Sequence, residues 1–594
     1  MKQRRGHKSK RVHKKNQNEL VGYFKKPKGS HAHCVVDRAS EEKFKIGKSE
    51  LRKAFPGDLV RYHLTPKGWA SIDSVLKSNT ENFIGKITRN GKVTFSSPVG
   101  LEDIVRIKIT GDIPKKISTE TLVEIILTKQ PAARQMGEGF IKRTISEDNI
   151  LEIASALSVS KHDLRTEWNK SIIQESQRLA KTVIATEVNY VDLRNKSFIT
   201  IDGKTAKDFD DAVFSEKNKS GDLVLYVAIA DVGKFVTPGS AMDKEAAERG
   251  TSVYFTQKVI PMLPEIISND LCSLRPKEDR YCLVCKTSLS QAGESKEVEF
   301  FQAIINSKSR LTYEKVAEQM KINKFSDPYA QSLKNLVDIY KILKKAKKSR
   351  GALELDIPFY VPQLKGNKIE KFINTSRNEA HLLIEECMLL ANICAAKILM
   401  KAKIPSIYRI HPKPDPLKIK NLEGFARSRK INVTLGDDGK VKELSNLVDI
   451  TKDRKDKETI HMQILQSLSL AVYETEVSEH FALGYPAYTH FTSPIRRYPD
   501  LMVHRALKSL IQTSPNGKIS LDKIRTQRIN KDLYPYTNDL VEEIASLSST
   551  KEREAEKAER EAINYLKCAY AKDNIGKEFN GVISGVTNFG LFIH

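Results

Sequence analysis

The chain has 594 residues, and its 99 lysines and arginines exceed its 74 aspartates and glutamates by 25. This excess of positive charge predicts a polyanionic partner, with nucleic acid as the leading candidate. No apolar run approaches the roughly 20 residues that a membrane-spanning helix needs, and the basic N-terminus lacks the apolar core of a secretory signal. The seven cysteines have no framework spacing, which is typical of a reducing compartment. We therefore expect a cytoplasmic protein that makes no membrane contact.

The first part of the chain predicts a basic tail and then two small β-barrels. Residues 1–18 contain eight lysines and arginines before the first acid, Glu19, and such a block is typical of a disordered tail. Residues 19–78 and 79–140 each show short strands between turn residues, a spacing that favours small barrels. Residues 141–187 predict a helical linker. A Gly-Lys-Ser run at 47–49 lacks the first glycine of a phosphate-binding loop, so we expect no nucleoside triphosphate site.

Residues 188–573 predict one large domain, with its core at 188–515 and a helical extension beyond. The apolar stretch Leu223–Ala230 indicates a buried strand, and helices dominate after about residue 311. Cys282 and Cys285 form a CxxC pair within a predicted strand, which favours core cysteines over a zinc or redox site. Residues 574–594 predict a fragment of two strands, which is too little to fold alone.

Four aspartates stand within ten positions, namely Asp202, Asp208, Asp210 and Asp211. Carboxylates this close repel one another, and a fold usually keeps them only when cations neutralise them. Mg²⁺ and Mn²⁺ suit oxygen ligands, and such ions commonly promote phosphodiester hydrolysis. A solvated acidic turn is the ordinary alternative, although apolar Phe209 and Ala212 interleave with the acids. An EF-hand calcium loop is excluded, because its twelfth position would be Lys219.

The run Phe198–Ala212 resembles the catalytic signature of the ribonuclease II/ribonuclease R family of 3′→5′ exoribonucleases. His490–Tyr498 resembles a later motif of that family, and the segments between and after them match in the expected order. These segments are Ala230–Val232, Thr251–Phe255, Met262–Leu274, Arg350–Ala352, Ile384–Glu386, Leu389–Asn392, Tyr408–His411 and Ala558–Arg560.

The resemblance covers nearly the whole chain and implies a multidomain α+β fold. Two N-terminal OB-type barrels of the cold-shock kind would precede a large mixed α/β catalytic domain. A truncated OB-type segment of the S-one kind would end the chain.

The resemblance also implies roles for single residues. The four aspartates would hold one or two Mg²⁺ ions, with Mn²⁺ as an alternative, and Arg496 would stabilise transition-state charge. Locally, Ser493 is a plausible helix N-cap with Pro494 at the first helical position, which would turn free amides toward a phosphate. The residues expected to contact RNA are Tyr254 by base stacking, Glu559 near the 3′ end, Ser493 and Arg497, although a structural role for Arg497 is the alternative.

These expectations describe a metal-dependent, processive, hydrolytic 3′→5′ exoribonuclease that releases nucleoside 5′-monophosphates. Its substrate would be single-stranded RNA with a free 3′ end, or structured RNA with a 3′ overhang, and it would act as a monomer. One departure from the family pattern is Leu355, which stands where a second stacking aromatic is usual. The alternative function is an RNA-binding regulator on the same scaffold without catalytic activity.

Overall fold

The computed structural model describes residues 20–593 apart from short gaps. The gaps are residues 26–33, 39, 41, 48, 79, 92, 100–104, 115–116, 119–120, 133–134, 147–148, 183, 186, 356, 437–439, 526–528, 582 and 588–589. The predicted basic tail, residues 1–18, lies outside the described residues. Backbone contacts divide the chain into two compact units. Unit 1 comprises Met1–Leu164, Leu364–Ile369 and Glu561–Cys568, and unit 2 comprises Arg165–Gln363, Glu370–Arg560 and Ala569–His594.

The first predicted barrel is a five-stranded antiparallel sheet in unit 1. Phe24, Val60 and Tyr62 point into its core while Tyr23 is exposed, which is the period-two alternation of a strand with one buried face. A parallel bridge between Ile46 and Ala70 joins the two edges, so the sheet curls toward a barrel. In the order β3-β2-β1-β4-β5, the strands are β1 (Leu20–Lys25), β2 (Cys34–Asp37), β3 (Lys43–Lys45), β4 (Leu59–Leu64) and β5 (Ala70–Lys77).

The second predicted barrel is closed, in the order β10-β8-β7-β6-β9. Branched residues such as Ile87, Ile107 and Ile125 fill it. Its last strand continues past the predicted domain end at residue 140, and helix α1 (Ile150–Lys161) follows with Asn149 as its N-cap. The strands are β6 (Asn82–Asn90), β7 (Val93–Pro98), β8 (Ile107–Ile109), β9 (Leu122–Lys129) and β10 (Gly137–Thr144).

A mixed eight-stranded sheet lies at the centre of unit 2. Its order is β11-β18-β17-β14-β13-β12-β19, and β24 also pairs with β18. The predicted buried strand is confirmed as β14, and Cys282 and Cys285 are buried free thiols in β17, as expected of core cysteines. The strands are β11 (Val191–Asp192), β12 (Ile199–Asp202), β13 (Asp211–Lys217), β14 (Leu223–Ala230), β17 (Asp279–Leu289), β18 (Ser295–Asn306), β19 (Ser309–Thr312) and β24 (Lys518–Ser520).

Further strands of the described chain form two-stranded antiparallel sheets. The last of them occupies the segment where opening strands of a third barrel are predicted. The pairs are β15 (Val253–Tyr254) with β16 (Val259–Ile260), β20 (Tyr360–Lys365) with β21 (Lys368–Asn374), β22 (Tyr408–Ile410) with β23 (Val472–Glu474), and β25 (Ile583–Thr587) with β26 (Gly590–Ile593).

Helices follow α1 along the chain, and several of them pack on the central sheet. Helix α6 packs against β14 and β17, and its leucines, alanines and cysteines are buried on most faces, as expected of a core helix. No helix in the described residues is both long and apolar enough to cross a membrane. The helices are α2 (Lys170–Leu179), α3 (Ala241–Arg249), α4 (Tyr313–Ile322), α5 (Ala330–Arg350), α6 (Glu379–Ala402), α7 (Pro416–Ser428), α8 (Val441–Thr451), α9 (Lys457–Ser467), α10 (Tyr498–Thr513) and α11 (Asn538–Asp573).

Helices α7, α8 and α9 share a small apolar core of their own, separate from the core of the sheet. Ile419, Leu422, Leu444, Leu447 and Ile460 are among its buried members. The sequence predicts helices here, but their periodicity does not reveal that they bury their apolar faces against one another.

Buried ion pairs fasten α10 to the rest of unit 2. Lys508 donates to both carboxylate oxygens of Asp231, at 2.7 and 2.9 Å, and Tyr190 donates to the same carboxylate at 2.9 Å. Arg505 donates to Asp243, on α3, at 2.7 Å. A buried charge that loses its partner is strongly unfavourable, so these pairs hold α10 in one position on the sheet.

We therefore expect Lys508→Met to lower the free energy of unfolding of unit 2 by about 3–5 kcal/mol, because the Asp231 carboxylate would stay buried without a counter-charge. Urea denaturation followed by circular dichroism measures this loss. The matched control is Lys296→Met, which removes a lysine from a solvent-accessible pair with Asp222 and should cost less than about 1 kcal/mol. Equal losses in the two variants would contradict the expectation.

Candidate active site

Two strand ends bring Asp202 and Asp211 together at one edge of the central sheet. Asp202 ends β12 and Asp211 begins β13, and this antiparallel pair, in register at Ile199 and Val213, places each aspartate within one residue of the position opposite the other. Burial, and next the neighbouring Asp211 carboxylate, raise the pKa of Asp202 to about 8. Burial raises the pKa of Asp211 to about 6, against the opposing charge of Arg496. The two carboxylates therefore share one poorly solvated space.

Asp210 lies next to this pair and is almost completely buried. Its Oδ1 accepts the backbone N–H of Ile495 at 2.9 Å, and its Oδ2 lies 3.8 Å from Nε of Arg496. Burial raises the pKa of Asp210 well above its ordinary range, and Arg496 and the Ile495 amide only partly offset that effect. Asp210 thus connects the acidic loop to the segment that contains Arg496.

That segment is a turn and not a helix N-terminus, so the prediction that Ser493 is an N-cap and Pro494 the first helical residue is wrong. Helix α10 begins at Tyr498, with Arg497 as the N-cap and a proline in the first turn. The backbone N–H groups of Arg496 and Arg497 both donate to the carbonyl of Ser493, at 3.3 and 2.9 Å. The sequence has capping signals both at Ser493 and at Arg497. The helix begins at the later position because the buried side chain of Asp500 accepts the N–H of Ser493 at 2.8 Å.

The two arginines of the motif have different surroundings. Arg497 makes a two-pronged contact with the fully buried Asp500, at 2.8 and 2.7 Å, which favours the structural alternative over an RNA contact. Arg496 is 41% exposed, and its Nη2 donates to the hydroxyl of Ser493 at 3.2 Å. Ser493 therefore orients Arg496, whose guanidinium remains accessible beside the carboxylates.

Tyr254 joins the acidic loop to helix α11. Its hydroxyl donates to Oδ2 of Asp208 at 3.1 Å, and its backbone N–H donates to Glu559 on α11 at 2.7 Å. Burial raises the pKa of the Glu559 carboxyl, while the Tyr254 residue is 38% exposed. The structure thus brings Asp208, Tyr254 and Glu559 together and leaves one aromatic ring accessible at the edge of the carboxylate cluster.

Sequence reasoning missed Tyr313, which begins α4 beside the same strand ends. Its ring stacks on His381 with centroids 3.8 Å apart. Burial, and then the charges of Asp211 and Asp202, raise the pKa of its phenol. The residue before it, Thr312, pairs with Asp202 because β19 runs parallel to β12, a long-range pairing that no local pattern in the sequence indicates.

The side chain of Leu355 is not exposed, as that of a base-stacking residue would be. It packs against the core of α7, α8 and α9, whereas the nearby Phe359 is 61% exposed. The departure at this position therefore places an aliphatic side chain in a packing role.

The chemistry of the four aspartates suits a hard divalent cation. Oδ2 of Asp202 is buried and accepts no hydrogen bond, and the raised pKa values of its neighbours show that negative charge is poorly compensated here. Carboxylate oxygens are the ligands that Mg²⁺ and Mn²⁺ prefer. Among the described residues, however, no group of three or more acidic, histidine or cysteine side chains is close enough to hold an ion as it stands. The donors are present but are not drawn together around one point.

Comparison with known proteins assigns the chain to a family. Residues 190–513, more than half of the chain, match the model of the RNB domain. The chain is 38% identical over 488 residues to ribonuclease R of Vibrio parahaemolyticus, covering 80% of this chain and 56% of that protein. It is 33% identical over 570 residues to ribonuclease R of Buchnera aphidicola, covering 92% of this chain and 76% of that protein.

A solved structure agrees with these matches. RNase R of Mycoplasma genitalium in complex with ribose-methylated single-stranded RNA has a TM-score of 0.80 at 26% identity, covering 97% of this chain and 90% of that one. The fold and the matched region define an RNB-domain protein. The chain belongs to the ribonuclease II/ribonuclease R family, and it spans a little over half the length of the Vibrio relative.

The desolvated carboxylates make the stability of the metal-free protein depend on pH. A folded-state pKa of about 8 for Asp202 exceeds the unfolded value of about 3.9, so the folded state binds the extra proton and loses stability as pH rises between these values. In EDTA at pH 8 we expect Asp202→Asn to raise the free energy of unfolding by about 1–3 kcal/mol.

Thermal or urea unfolding in EDTA at pH 5 and pH 8 measures this gain, which should be much smaller at pH 5. Asp222→Asn is the control, because Asp222 is an accessible partner of Lys296 and its pKa is lowered by the hydrogen bond from that lysine. A variant that is no more stable than the wild type at pH 8 would show that the Asp202 carboxylate is not costly.

Proposed function

We propose that this protein is a metal-dependent 3′→5′ exoribonuclease that hydrolyses RNA processively and releases nucleoside 5′-monophosphates. The observation that carries the proposal is the meeting of four aspartates, Arg496 and the accessible ring of Tyr254 at one edge of the sheet. A substrate end that reaches this edge would meet phosphate-binding, base-stacking and ion-binding groups at once. Family membership supports the same activity, because ribonuclease R is the name of several relatives.

The aspartates Asp202, Asp208, Asp210 and Asp211 would hold Mg²⁺, or Mn²⁺ in its place. When bound, such an ion activates a water molecule and stabilises charge on the leaving oxygen. Asp210 is fixed by the Ile495 amide on one oxygen, which leaves its other oxygen to orient or deprotonate the attacking water. Arg496 is accessible beside it, and its planar guanidinium can bind two phosphate oxygens and stabilise charge that develops in the transition state.

The 3′ end would be held by Tyr254 and Glu559. Stacking of a base on an aromatic ring is favourable by ~1–3 kcal/mol and does not depend on the base, which suits an enzyme that accepts every nucleotide. The RNA partner is supported by the Mycoplasma complex, which contains single-stranded RNA, and by the excess of 25 positive charges. We propose a cytoplasmic monomer of ribonuclease R type that also accepts structured RNA with a 3′ overhang.

A regulator that binds RNA without cleaving it is the alternative on this scaffold. The site argues against it, because Asp202, Asp208, Asp210 and Asp211 are all present and Arg496 lies beside Asp210. A binding-only protein has no need to keep four carboxylates together, since they weaken attraction for a polyanion.

The decisive test is the Asp210→Asn variant with 5′-end-labelled single-stranded RNA. The amide still accepts the Ile495 N–H, so RNA affinity in EDTA should match the wild type. Hydrolysis with Mg²⁺ should fall roughly 10²–10⁴-fold, as for loss of a positioned base. Wild-type protein should shorten the RNA from its 3′ end with Mg²⁺ and leave it intact in EDTA.

Asp222→Asn is the matched control and should degrade RNA at the wild-type rate. Asp222 lies in the turn that joins β13 to β14, at the opposite end of β13 from Asp211. Near-normal turnover by Asp210→Asn would contradict the role of Asp210. Wild-type protein that binds RNA and never shortens it would favour the regulator.

Two variants of Tyr254 distinguish base stacking by its ring from hydrogen bonding by its hydroxyl. Tyr254→Ala should leave a longer final fragment than the wild type, because short RNA ends lose ~1–3 kcal/mol of stacking. Tyr254→Phe keeps the ring and loses only the bond to Asp208, so its final fragment should have the wild-type length. Denaturing gels of end-labelled RNA measure both, and an unchanged product with Tyr254→Ala would mean that the ring only packs.

A further inference from the structure

The loop between Asp202 and Asp210 carries Asp208 and has no regular secondary structure. Its main chain must nevertheless be fixed, because a metal site binds well only when its ligands are held in place beforehand. Helix or strand hydrogen bonds do not supply that support in residues 203–209. Besides a main-chain bond from the Leu274 N–H, two side chains from other parts of unit 2 bond the main chain of this loop.

Ser273 holds the end of the loop that contains Asp208. Its hydroxyl accepts the backbone N–H of Phe209 at 3.0 Å and donates to the carbonyl of Lys207 at 2.8 Å. These two bonds lie on either side of Asp208. Ser273 is completely buried, and the residue after it, Leu274, donates its own N–H to the carbonyl of Phe209 at 3.0 Å.

Arg310 holds the other end, next to Asp202. It lies on β19, directly across from Thr200 of the parallel strand β12. Its Nη2 donates to the carbonyls of Gly203 and Lys204, at 2.5 and 2.9 Å. Its Nε is buried and has no hydrogen-bond partner, so the side chain keeps this orientation at a cost.

We propose that Ser273 and Arg310 are positioning residues that fix the carboxylate loop at its two ends and so determine how tightly it takes up a divalent cation. The inference rests on the proposed function and adds to it the residues that set metal affinity. Neither side chain bonds a carboxylate oxygen of Asp202 or Asp208 in the described contacts, so both leave those oxygens to the ion. Residues that orient metal ligands in this way typically change metal affinity by about 10–100-fold when removed.

The positive charge of Arg310 makes its two possible effects on metal binding opposite in direction. A cation close to Asp202 repels a second cation, so removing it without any loss of loop order should strengthen metal binding. If Arg310 fixes the loop, removing it should instead weaken binding. Arg310→Met and Arg310→Lys separate these effects, because lysine keeps the charge but lacks the planar guanidinium whose Nη2 donates to both carbonyls.

The experiment titrates full-length protein with Mn²⁺ alone and follows free ion by electron paramagnetic resonance. We expect Ser273→Ala and Arg310→Met each to bind Mn²⁺ about 10-fold more weakly than wild type, with Arg310→Lys between wild type and Arg310→Met. Without metal, residues 203–210 of Ser273→Ala and Arg310→Met should exchange their amide hydrogens with deuterium faster than those of the wild type. In hydrolysis assays the Mg²⁺ concentration for half-maximal rate should rise, while the rate at saturating Mg²⁺ falls much less.

Two control variants remove similar groups elsewhere in unit 2. Ser509→Ala loses a buried hydroxyl that bonds only within α10, and Arg194→Met loses ion pairs with Asp192 and Asp279. Both should bind Mn²⁺ as the wild type does. Variants of Ser273 or Arg310 with wild-type or tighter Mn²⁺ binding and unchanged exchange would overturn the proposal. A wild type that takes up no Mn²⁺ and degrades no RNA would instead overturn the proposed function together with it.

Discussion

The burial of neighbouring carboxylates, which also repel one another, is the constraint on which the candidate site depends. Asp202 and Asp211 share a sheet edge, Asp210 is buried beside them, and Asp208 completes the loop. Each is met by a donor or a positive charge, but the compensation is incomplete, as the bare Oδ2 of Asp202 shows. The surrounding fold must therefore be stable enough to carry a locally unfavourable arrangement, and the large continuous core around β14 and α6 provides that stability.

The same constraint explains why distant segments meet at this edge. The parallel pairing of β12 with β19 brings Thr312 across from Asp202, and Tyr313 and Arg310 arrive with it. The turn before α10 brings Arg496, and the buried pairs Lys508–Asp231 and Arg505–Asp243 hold that helix on the sheet. The buried charge pairs of α10 thus fix the position of an accessible charge within the site.

The sequence indicated the strands, the main helices and the acidic cluster, because each has a local pattern. Leu223–Ala230 is apolar throughout and became β14, and the four aspartates stand out by proximity alone. The start of α10 was misassigned because Ser493-Pro494 and Arg497-Tyr498-Pro499 are both acceptable helix starts, and only the tertiary contacts of Asp500 decide between them. Tyr313, Ser273 and Arg310 were missed for a related reason: their roles depend on strand pairing and on contacts with main-chain atoms, which leave no signature in the sequence.

The way the loop is held follows from the charge it carries. Had its supports been hydrogen bonds to the carboxylates, every bond would have used an oxygen that a cation needs. Ser273 and Arg310 bond to backbone carbonyls and an amide instead, and Ile495 uses only one oxygen of Asp210. Near neutral pH, bound protons neutralise part of the negative charge of the aspartates, because burial raises the pKa of Asp202 to about 8 and that of Asp211 to about 6. A divalent ion and these protons would then compete for the same oxygens, and supports that bond only the main chain of the loop leave those oxygens open to either.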